Sequence, residues 1–412
     1  PTEESFMEFY KEKIGDLKLR ASYGILGSQA IGTYDRFTVY DVYDNSYAYN
    51  NKTVSGAGFK LGLENLTWEK TQTFNIGVDA SFLQNSLTVT FDYFHKRTND
   101  ILMKPLISSV FGTEMPMANI GKMQNQGWDL SVNYRLKTGA FTHNFNFNLG
   151  DSWNKVLEFP GDEQITQVEE LSRIIRVGVP LNSYYGYKMA GFFQSYDEIE
   201  ASAIPVGAKV QPGDIKFVDR NDDGIIDSKD KFILGNAFPR YTFGFTYGLN
   251  WKGIDFSMFW QGVGKRDMML RGELIEPYHA NYSYTIYKHQ LDFWTPTNTE
   301  ARWPRLAAPG SDSNRNNYGN GNGSDLFLLD GKYLRLKNLT IGYTLPKEWT
   351  KHLGMQKARL YINGQNLLTF SNNSFIDPES SEFDSKMSTS GANSGRSYPT
   401  LRYFGFGVDI EF

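Results

Sequence analysis

Residues 404–412 read FGFGVDIEF, and this stretch decides the class of fold. Apolar residues occupy its even positions, and glycine or acidic residues occupy the odd positions. Alternation with a period of two predicts a β-strand with one apolar face and one polar face. Such a strand suits a sheet that has an apolar medium on one side and water on the other.

The same alternation recurs about ten times along the chain. It is found at residues 74–82, 87–93, 128–136, 241–251, 254–260, 339–345 and 360–362. Between residues 334 and 339 the apolar positions change parity, which predicts a β-bulge or a strand that leaves the membrane. The repetition favours an all-β fold, an antiparallel transmembrane β-barrel whose outer face meets lipid and whose lumen is wet. A large soluble β-protein with half-buried strands is the alternative.

The connections between the predicted strands favour the barrel. The short connections are residues 83–86, 137–140 and 252–253, and an intermediate one runs from 346 to 357. The long connections are residues 28–70, 100–122, 157–239, 266–332 and 371–400. Counted back from the strand at 404–412, all the long loops fall at one end of the sheet, as in outer-membrane barrels. The predicted strand ends carry tryptophans that suit an interfacial girdle, namely Trp68, Trp153, Trp251 and Trp260.

Composition limits the classes of function. The formal net charge of the 412 residues is −4, so no nucleic-acid surface is expected. Only 40% of the residues are hydrophobic, and no apolar run approaches the roughly 20 residues of a membrane-spanning helix. The chain contains 0 cysteines, which excludes a disulfide framework and thiol catalysis. The five histidines are scattered without metal-ligand spacing, and we expect no enzymatic activity.

Several motifs, in order along the chain, carry a family resemblance. They are residues 17–24 (LKLRASYG), 66–71 (LTWEKT), 75–79 (NIGVD), 119–121 (NIG), 125–128 (NQGW), 213–217 (GDIKF), 333–339 (YLRLKNL) and 407–412 (GVDIEF). Together they resemble the SusC/RagA family of TonB-dependent outer-membrane transporters. The resemblance runs from about residue 17 to residue 412. The closing motif resembles the assembly signal of such barrels.

This resemblance implies a size and a position within a larger protein. Family members carry a signal peptide and a plug domain before a barrel of about 22 strands. No signal peptide or plug is recognisable here, so we interpret residues 1–412 as the C-terminal part of the barrel, with about ten of its strands. We expect such an open sheet not to span a membrane alone, because its two edges leave backbone groups unpaired.

The resemblance also implies a function for the parent protein in the bacterial outer membrane. It is expected to import oligosaccharides, with peptides as the second choice. A SusD-like surface lipoprotein would cap the extracellular mouth, and the TonB complex would supply energy through the plug. Two alternatives from other classes are a soluble secreted glycan-binding β-protein and a calcium-dependent adhesion or docking module.

The sharpest chemical motif lies in the long loop region 157–239. Residues 219–230 have the oxygen-rich spacing of a calcium-binding loop, with a glycine at position six for the sharp turn. The predicted ligands are Asp219, Asn221, Asp223, the Ile225 carbonyl, Asp227 and Asp230. We expect a structural calcium ion that stiffens an extracellular loop. A solvated turn of similar composition is the alternative.

Aromatic residues crowd the long loop 266–332. Aromatic rings beside polar groups can stack on sugars or on a partner protein. The candidate contact residues are Tyr278, Tyr282, Tyr284, Tyr287, Trp294 and Trp303. Packing of the loop against itself is the alternative. The tract 310–324, rich in glycine, serine and asparagine, is predicted to be mobile and exposed.

Overall fold

The fold is taken from a computed structural model. It describes residues 4, 15–29, 31–32, 34–105, 110, 115–161, 163–168, 171–279, 285–319, 321–352, 354–379, 392–393 and 398–412. Its main feature is one ten-stranded sheet in which every neighbouring pair of strands is antiparallel. Its strands, in spatial order, are β1 (Leu17–Ser28), β4 (Glu69–Phe82), β5 (Leu87–Met103), β6 (Ala118–Thr138), β7 (Phe141–Glu158), β16 (Arg240–Trp251), β17 (Ile254–Lys265), β20 (Tyr333–Thr344), β21 (Lys357–Ser371) and β23 (Tyr403–Glu411).

Tight turns and long loops lie at opposite ends of this sheet, as predicted. Strands β16 and β17 are joined by Lys252 and Gly253 alone, because Trp251 pairs directly with Ile254. Both turn residues have positive φ, 45° and 87°, which matches the right-handed twist of the two strands. A side chain at Gly253 would also meet the Thr344 carbonyl oxygen at 2.8 Å. The turn therefore requires a glycine at position 253.

One face of the sheet is apolar and open. Phe404, Phe406 and Val408 on β23 are exposed, and so are Ile362 on β21 and Ile76 on β4. No second sheet covers this face within the described part of the chain. A soluble sandwich would cover its apolar face with a second sheet. The open apolar face therefore favours a barrel whose outer side meets lipid.

The predicted change of parity on β20 is a β-bulge. Phe259 pairs with Asn338 and Trp260 pairs with Leu336, so Lys337 is the extra residue. The same residue is skipped in the pairing of β20 with β21. Beyond the bulge, apolar and polar side chains change places along the strand, which explains the sequence pattern.

The sheet is open at both edges. Strand β1 pairs only with β4, and β23 pairs only with β21, among the described strands. In lipid an unpaired row of backbone N–H and C=O groups is very unfavourable. The ten strands are therefore part of a larger barrel, as the alternation and the resemblance predicted.

The long loops carry their own short elements. The further strands within the described residues are β2 (Val39–Tyr49), β3 (Lys52–Lys60), β8 (Glu163–Val168), β9 (Leu171–Arg176), β10 (Ser183–Gly186), β11 (Met189–Phe192), β12 (Ile204–Pro205), β13 (Ile215–Phe217), β14 (Ile225–Ile226), β15 (Phe232–Gly235), β18 (Asp267–Leu270), β19 (Leu328–Asp330) and β22 (Ala392–Asn393). The described helices are α1 (Tyr196–Glu200) and α2 (Asp312–Tyr318) in the long loops, and α3 (Lys347–Lys351) in the intermediate connection. Single 3-10 turns cover Ser228–Asp230, Gly272–Leu274, Lys288–Gln290 and Asp325–Phe327. None of the helices in the described segments is long and apolar enough to cross a membrane.

The hydrophobic core lies in the loops and not between sheet layers. Its fully buried members come from the loop 159–239 and from the loop 266–332, which are distant in sequence. They include Ile215, Met268, Ile275, Trp303 and Phe327. These two loops thus pack together as one folded body at the long-loop end of the sheet.

The tract 310–324 is not the exposed, mobile segment predicted from its composition. It contains helix α2, which begins after Ser311 because the Ser311 hydroxyl accepts a hydrogen bond from the N–H of Asn314. Asn317 and Tyr318 on this helix are buried, and the Tyr318 ring stacks on Phe327. The asparagines are buried because their amides have hydrogen-bond partners, which composition alone does not reveal.

Candidate functional site: the lumen wall and the extracellular loop body

An ion cluster lies on the polar face of the first three strands of the sheet. Arg20 on β1 donates from Nε to Asp79 Oδ2 at 2.8 Å and from Nη2 to Asp92 Oδ2 at 2.9 Å. Asp92 lies on β5, so the arginine side chain crosses the intervening strand β4. It crosses over Gly77, where a Cβ atom would lie 2.3 Å from Asp92 Oδ1 and 2.7 Å from Arg20 Nη2. Glycine is therefore required for this cross-strand bridge.

A similar ion cluster lies on the same face near the opposite edge of the sheet. Arg359 on β21 donates from Nε to Asp255 Oδ1 at 2.8 Å and from Nη1 to Asp409 Oδ2 at 2.9 Å. It crosses over Gly342 on β20, where a Cβ atom would lie 2.5 Å from Asp255 Oδ1. Both clusters lie near the short-turn end of the sheet. They cross-link strands through their lumen face, where water is present and lipid is not.

At the extracellular end, a buried ion pair anchors the loop after β21. Arg335 on β20 contacts Asp377 through Nη2 at 2.5 Å and Glu379 through Nη1 at 2.7 Å. Asp377 also accepts hydrogen bonds from the N–H groups of Glu379 and Thr400. Burial alone would raise the pKa of Asp377, but the hydrogen bonds from Arg335 and the two N–H groups outweigh it and lower the pKa. Asp377 is therefore ionised and holds both ends of the loop.

A second buried carboxylate joins the two largest loops. Asp214, which is fully buried, accepts hydrogen bonds from Asn317 Nδ2 at 3.0 Å, from Ser313 Oγ at 3.0 Å and from the N–H of Gln211 at 2.9 Å. Asn317 in turn accepts from the N–H of Ile215 at 2.8 Å. Burial raises the pKa of the Asp214 carboxyl, although its three donors act in the opposite direction. Helix α2 is thereby fixed to the loop 159–239.

The loop predicted to bind calcium, residues 219–230, has the expected tight turn. Asp219 Oδ2 accepts a hydrogen bond from the N–H of Gly224 at 2.8 Å. Gly224 has a φ of 80°, a conformation that favours glycine. Asp223 Oδ1 accepts from the N–H of Ile225 at 3.1 Å, and Asn221 Nδ2 donates to Asp223 Oδ2 at 2.8 Å. The main-chain turn therefore fits a calcium loop.

The side chains of this loop do not converge on one point. Asp230 is fully buried and accepts from the N–H groups of Arg220 and Asp227 at 2.9 and 2.8 Å. The N–H of Lys229 binds Asp227 and lowers the pKa of its carboxyl. No group of three or more histidine, cysteine or carboxylate side chains in the described residues is arranged to hold a metal ion. Asp219 Oδ1 is buried and has no hydrogen-bond partner.

The candidate aromatic contacts divide into two groups. Trp303 is 1% exposed and donates from Nε1 to the His289 carbonyl at 2.8 Å, while Trp294 is 7% exposed and donates to Gln194 Oε1 at 3.0 Å. These two rings belong to the loop core, so the prediction that they stack on a sugar or a partner is wrong. They are buried because their N–H groups find acceptors inside the loops.

The remaining candidates lie nearer the surface or outside the described residues. Tyr287 is exposed and stacks on His289 with ring centroids 6.0 Å apart, and His289 stacks on Phe375 at 3.9 Å. Burial lowers the pKa of His289, although a hydrogen bond to the Leu274 carbonyl opposes the shift. Tyr278 is half-buried. Tyr282 and Tyr284 lie outside the described residues.

An exposed aromatic hairpin was missed by the sequence analysis. Strands β2 and β3, in the loop between β1 and β4, pair with each other around Asn50 and Asn51, which both have positive φ. Large apolar side chains are exposed on this hairpin and beside it, namely Tyr34, Phe37, Tyr40, Val42, Tyr47, Tyr49 and Phe59. The signal was available, because two asparagines between alternating residues are typical of a two-residue hairpin turn.

Comparisons with known proteins agree with this architecture. The family described as TonB-dependent receptor-like, β-barrel, matches residues 14–367. The chain belongs to this family. TonB-dependent receptor P26 of Formosa agariphila is 33% identical over 431 residues, and the alignment covers 100% of this chain and 41% of that protein. TonB-dependent receptor SusC of Bacteroides thetaiotaomicron is 29% identical over 428 residues, covering 100% of this chain and 39% of SusC.

A solved structure supports the fold of this TonB-dependent receptor barrel. The structure of the RagAB peptide transporter superposes with a TM-score of 0.74 at 23% identity, covering 96% of this chain and 41% of the RagAB chain. The chain spans about two fifths of the length of the relatives it matches. The prediction of a partial SusC/RagA-type barrel in the bacterial outer membrane is confirmed. Its short turns are therefore periplasmic, and its long loops are extracellular.

Proposed function

We propose that these residues form the C-terminal wall and much of the mouth of an active transporter that imports oligosaccharides, energised by TonB. The observation that supports this most strongly is the loop body at one end of a lumen-lining sheet. Long loops with a shared core of their own, around Ile215 and Trp303, can form a rigid rim around a ligand. The chain carries part of this rim and contributes no catalysis.

We propose that a SusD-like surface lipoprotein covers the exposed hairpin β2–β3. An isolated two-stranded hairpin is marginally stable in water, so this one needs a covering surface. The rings of Tyr47 and Tyr43 lie over Gly56 and Gly58, where Cβ atoms would approach them to 2.1 and 2.8 Å. This gives the hairpin a flat aromatic surface that suits a protein partner.

We also propose a structural calcium ion in the loop 219–230. The support is the tight turn at Gly224 together with the unpartnered, buried oxygen Asp219 Oδ1. Asp223 and Asn221 lie in the same turn and would need to rotate to reach the ion. The ion would supply a fixed positive charge that holds this acidic turn in place.

Uptake by the full-length receptor tests the transport proposal. The receptor would be expressed with a SusD-like lipoprotein in an outer membrane and offered fluorescent maltohexaose or a fluorescent uncharged octapeptide. Energy-dependent uptake of maltohexaose that disappears without TonB is expected. Uptake of the octapeptide alone would replace oligosaccharide with peptide, and uptake of neither probe would contradict the proposal.

The partner proposal has a separate test. Tyr40→Ser combined with Tyr49→Ser should weaken co-purification of the lipoprotein, because these side chains are 76% and 77% exposed and their loss leaves the barrel intact. Trp349→Ser is the control, since Trp349 is also an exposed aromatic residue, at 63%, but lies on the periplasmic helix α3. Equal capture by both variants would show that the hairpin is not the docking surface.

A further inference from the structure

A row of four polar side chains crosses neighbouring strands on the outward face of the sheet. Arg97 on β5 pairs with Gln72 on β4 and with Gln124 on β6, and Gln124 pairs in turn with Lys155 on β7. Residues paired in this way lie side by side and point to the same face. The exposed Phe91 on β5 has the same parity as Arg97, so these four residues, the outer row, face outward and not into the lumen.

The outer row lies at the upper limit of the apolar band. The outward positions of β5 below it are aliphatic or aromatic from Leu87 to Tyr93. Ten residues separate Leu87 from Arg97, which is about 33 Å along the strand and about 25 Å along the barrel axis at a tilt of about 40°. The apolar band of a transmembrane barrel is about 25 Å tall. Arg97 therefore lies at the height of the lipid headgroups, at the extracellular end.

Aromatic rings directly beneath the row mark the same boundary. Tyr93 pairs with Trp128, and Gln126 pairs with Trp153. Trp128 also stacks on Phe91, with ring centroids 6.3 Å apart. Tyrosine and tryptophan are enriched where a membrane meets water, because their rings are apolar and their polar tips remain wet. The row thus begins where the interfacial girdle ends.

The outer row carries two positive charges without a counter-ion. Arg97 and Lys155 are exposed, and neither forms a salt bridge with a residue that the structure describes. Arg97 Nε donates to the Asn99 amide oxygen at 3.1 Å, which orients the guanidinium without neutralising it. The other two members of the row are uncharged amides. A cationic surface therefore faces the headgroup region.

The carboxylates near the row already have basic partners. They form the pairs Lys122–Glu158 at 2.6 Å, Lys70–Asp100 at 3.6 Å and Arg240–Asp151. Each pair is neutral as a whole, so the positive surplus of this surface is that of Arg97 and Lys155. His95, two positions before Arg97 on the same face, can only add positive charge when it is protonated.

We propose that the outer row binds the phosphate of a lipid headgroup in the outer leaflet of the outer membrane. The outward face meets lipid, so a headgroup is the anion that reaches this height of the barrel. Arg97 and Lys155 lie two strand spacings apart, about 10 Å, a span that two long side chains can close around one phosphate group. The guanidinium can bind two phosphate oxygens at once, and the lysine adds a point charge. Gln72 and Gln124 can donate amide hydrogens to the remaining oxygens.

Binding of lipid A, a phosphorylated glycolipid, to the full-length receptor tests this site. Lipid A would be titrated into the purified receptor in detergent, and the first bound lipid would be followed by native mass spectrometry. Arg97→Gln combined with Lys155→Gln should weaken binding at least about tenfold, because each basic residue near an anionic lipid surface strengthens binding severalfold. The control is Lys347→Gln combined with Lys351→Gln, which removes the same charge from exposed positions on the periplasmic helix α3 and should leave binding unchanged. Correct assembly of both variants would be checked by the heat-modifiable migration of the barrel in gels.

Dephosphorylated lipid A tests the same point without any substitution. It should bind the unsubstituted receptor at least about tenfold more weakly than lipid A does. Equal binding of the two lipids, or equal loss of binding in the double variant and its control, would overturn the proposal. Inorganic phosphate is the last probe. Displacement of lipid A by inorganic phosphate would assign the outer row to a free anion and not to a lipid, whereas retention of lipid A is the expected result.

Discussion

The guanidinium of Arg335 and the carboxylate of Asp377 lie 2.5 Å apart, and both side chains are more than nine-tenths buried. The arginine belongs to the barrel wall, whereas the aspartate begins the last extracellular loop. Removing one partner of a buried ion pair is costly because the other charge remains without compensation. The contact therefore determines where that loop leaves the barrel.

Arg335→Ala should detach the loop after β21. The expected cost to local stability is about 3–5 kcal/mol, since Asp377 and Glu379 would stay buried and unpaired. Faster proteolysis of the loop in the intact receptor is the measurement. Lys337→Met is the control, because Lys337 pairs with Glu379 and not with Asp377 among the described residues, and it is more exposed than Arg335. Equal proteolysis of the two variants would show that Arg335 is not the anchor.

Acidification should loosen the stacked aromatics around His289. Burial lowers the pKa of His289 below its ordinary value of 6.5. The neutral ring is therefore favoured in the folded state, and its contribution to stability is complete above pH 6.5. That contribution is lost as the pH falls through the lowered pKa. Protease sensitivity of the loop body should rise between pH 7.5 and pH 5 in the unsubstituted protein and less in His289→Phe. An identical pH response in both proteins would show that His289 is not the group whose protonation loosens the loop body.

Chelation should destabilise the loop 219–230 if the proposed ion is present. Removal of calcium with EGTA should lower the melting temperature of the loop body, and added calcium should restore it. Asp223→Asn should abolish the calcium response. Asp222→Asn is the control, because it also removes one charge but lies at a non-ligand position whose φ of 57° asparagine tolerates. No calcium response in the unsubstituted protein would leave the turn as a purely hydrogen-bonded structure.

Gly77→Ala should break the ion cluster that it supports. The new methyl group would lie 2.3 Å from Asp92 Oδ1 and 2.7 Å from Arg20 Nη2, so the ion pair must move apart. The expected loss is about 1–3 kcal/mol, seen as a lower temperature of heat-modified migration. Gly248→Ala, which meets only ordinary contacts, is the control. Equal stability of the two variants would mean that the ion cluster does not contribute to the stability of the barrel.

Trp303 and Tyr287 should behave differently when truncated, although the sequence placed them in one group. Trp303→Ala removes a fully buried ring and should cost about 3–5 kcal/mol in loop stability. Tyr287→Ala removes an exposed ring and should leave the melting temperature almost unchanged. Differential scanning calorimetry of the purified receptor measures the melting temperature of both variants. A large loss with Tyr287→Ala would assign that ring to the core as well.

The strands could be predicted from sequence because their signal is local. A period of two, tight turns such as Lys252-Gly253 and a parity change at Lys337 are all visible within a few residues. The loop body could not be predicted in this way. Its central contact, Asn317 to Asp214, joins residues 103 positions apart, and neither residue carries a pattern that points to the other.

The candidate site was predictable only in part, for the same reason. The turn at Gly224 follows from its own sequence, and its bond to Asp219 is local. Whether Trp303 faces solvent depends on residues such as Met268, Ile275 and Phe327, which belong to the same hydrophobic cluster but are distant from it in sequence. Composition assigned an aromatic cluster to the loop 266–332 but could not tell which rings would be covered.

The shared core of the two largest loops has a consequence for receptor engineering. Because the loops 159–239 and 266–332 contribute to one hydrophobic cluster and are pinned together by Asp214 and Asn317, they cannot be exchanged singly between relatives. A graft of one loop would expose its half of the shared hydrophobic core. It would also leave the buried Asp214 carboxylate without its hydrogen bond from Asn317, or Asn317 without its acceptor. Chimeric receptors with altered recognition should therefore transfer both loops as a matched set, and laboratory evolution of one loop should select compensating changes in the other.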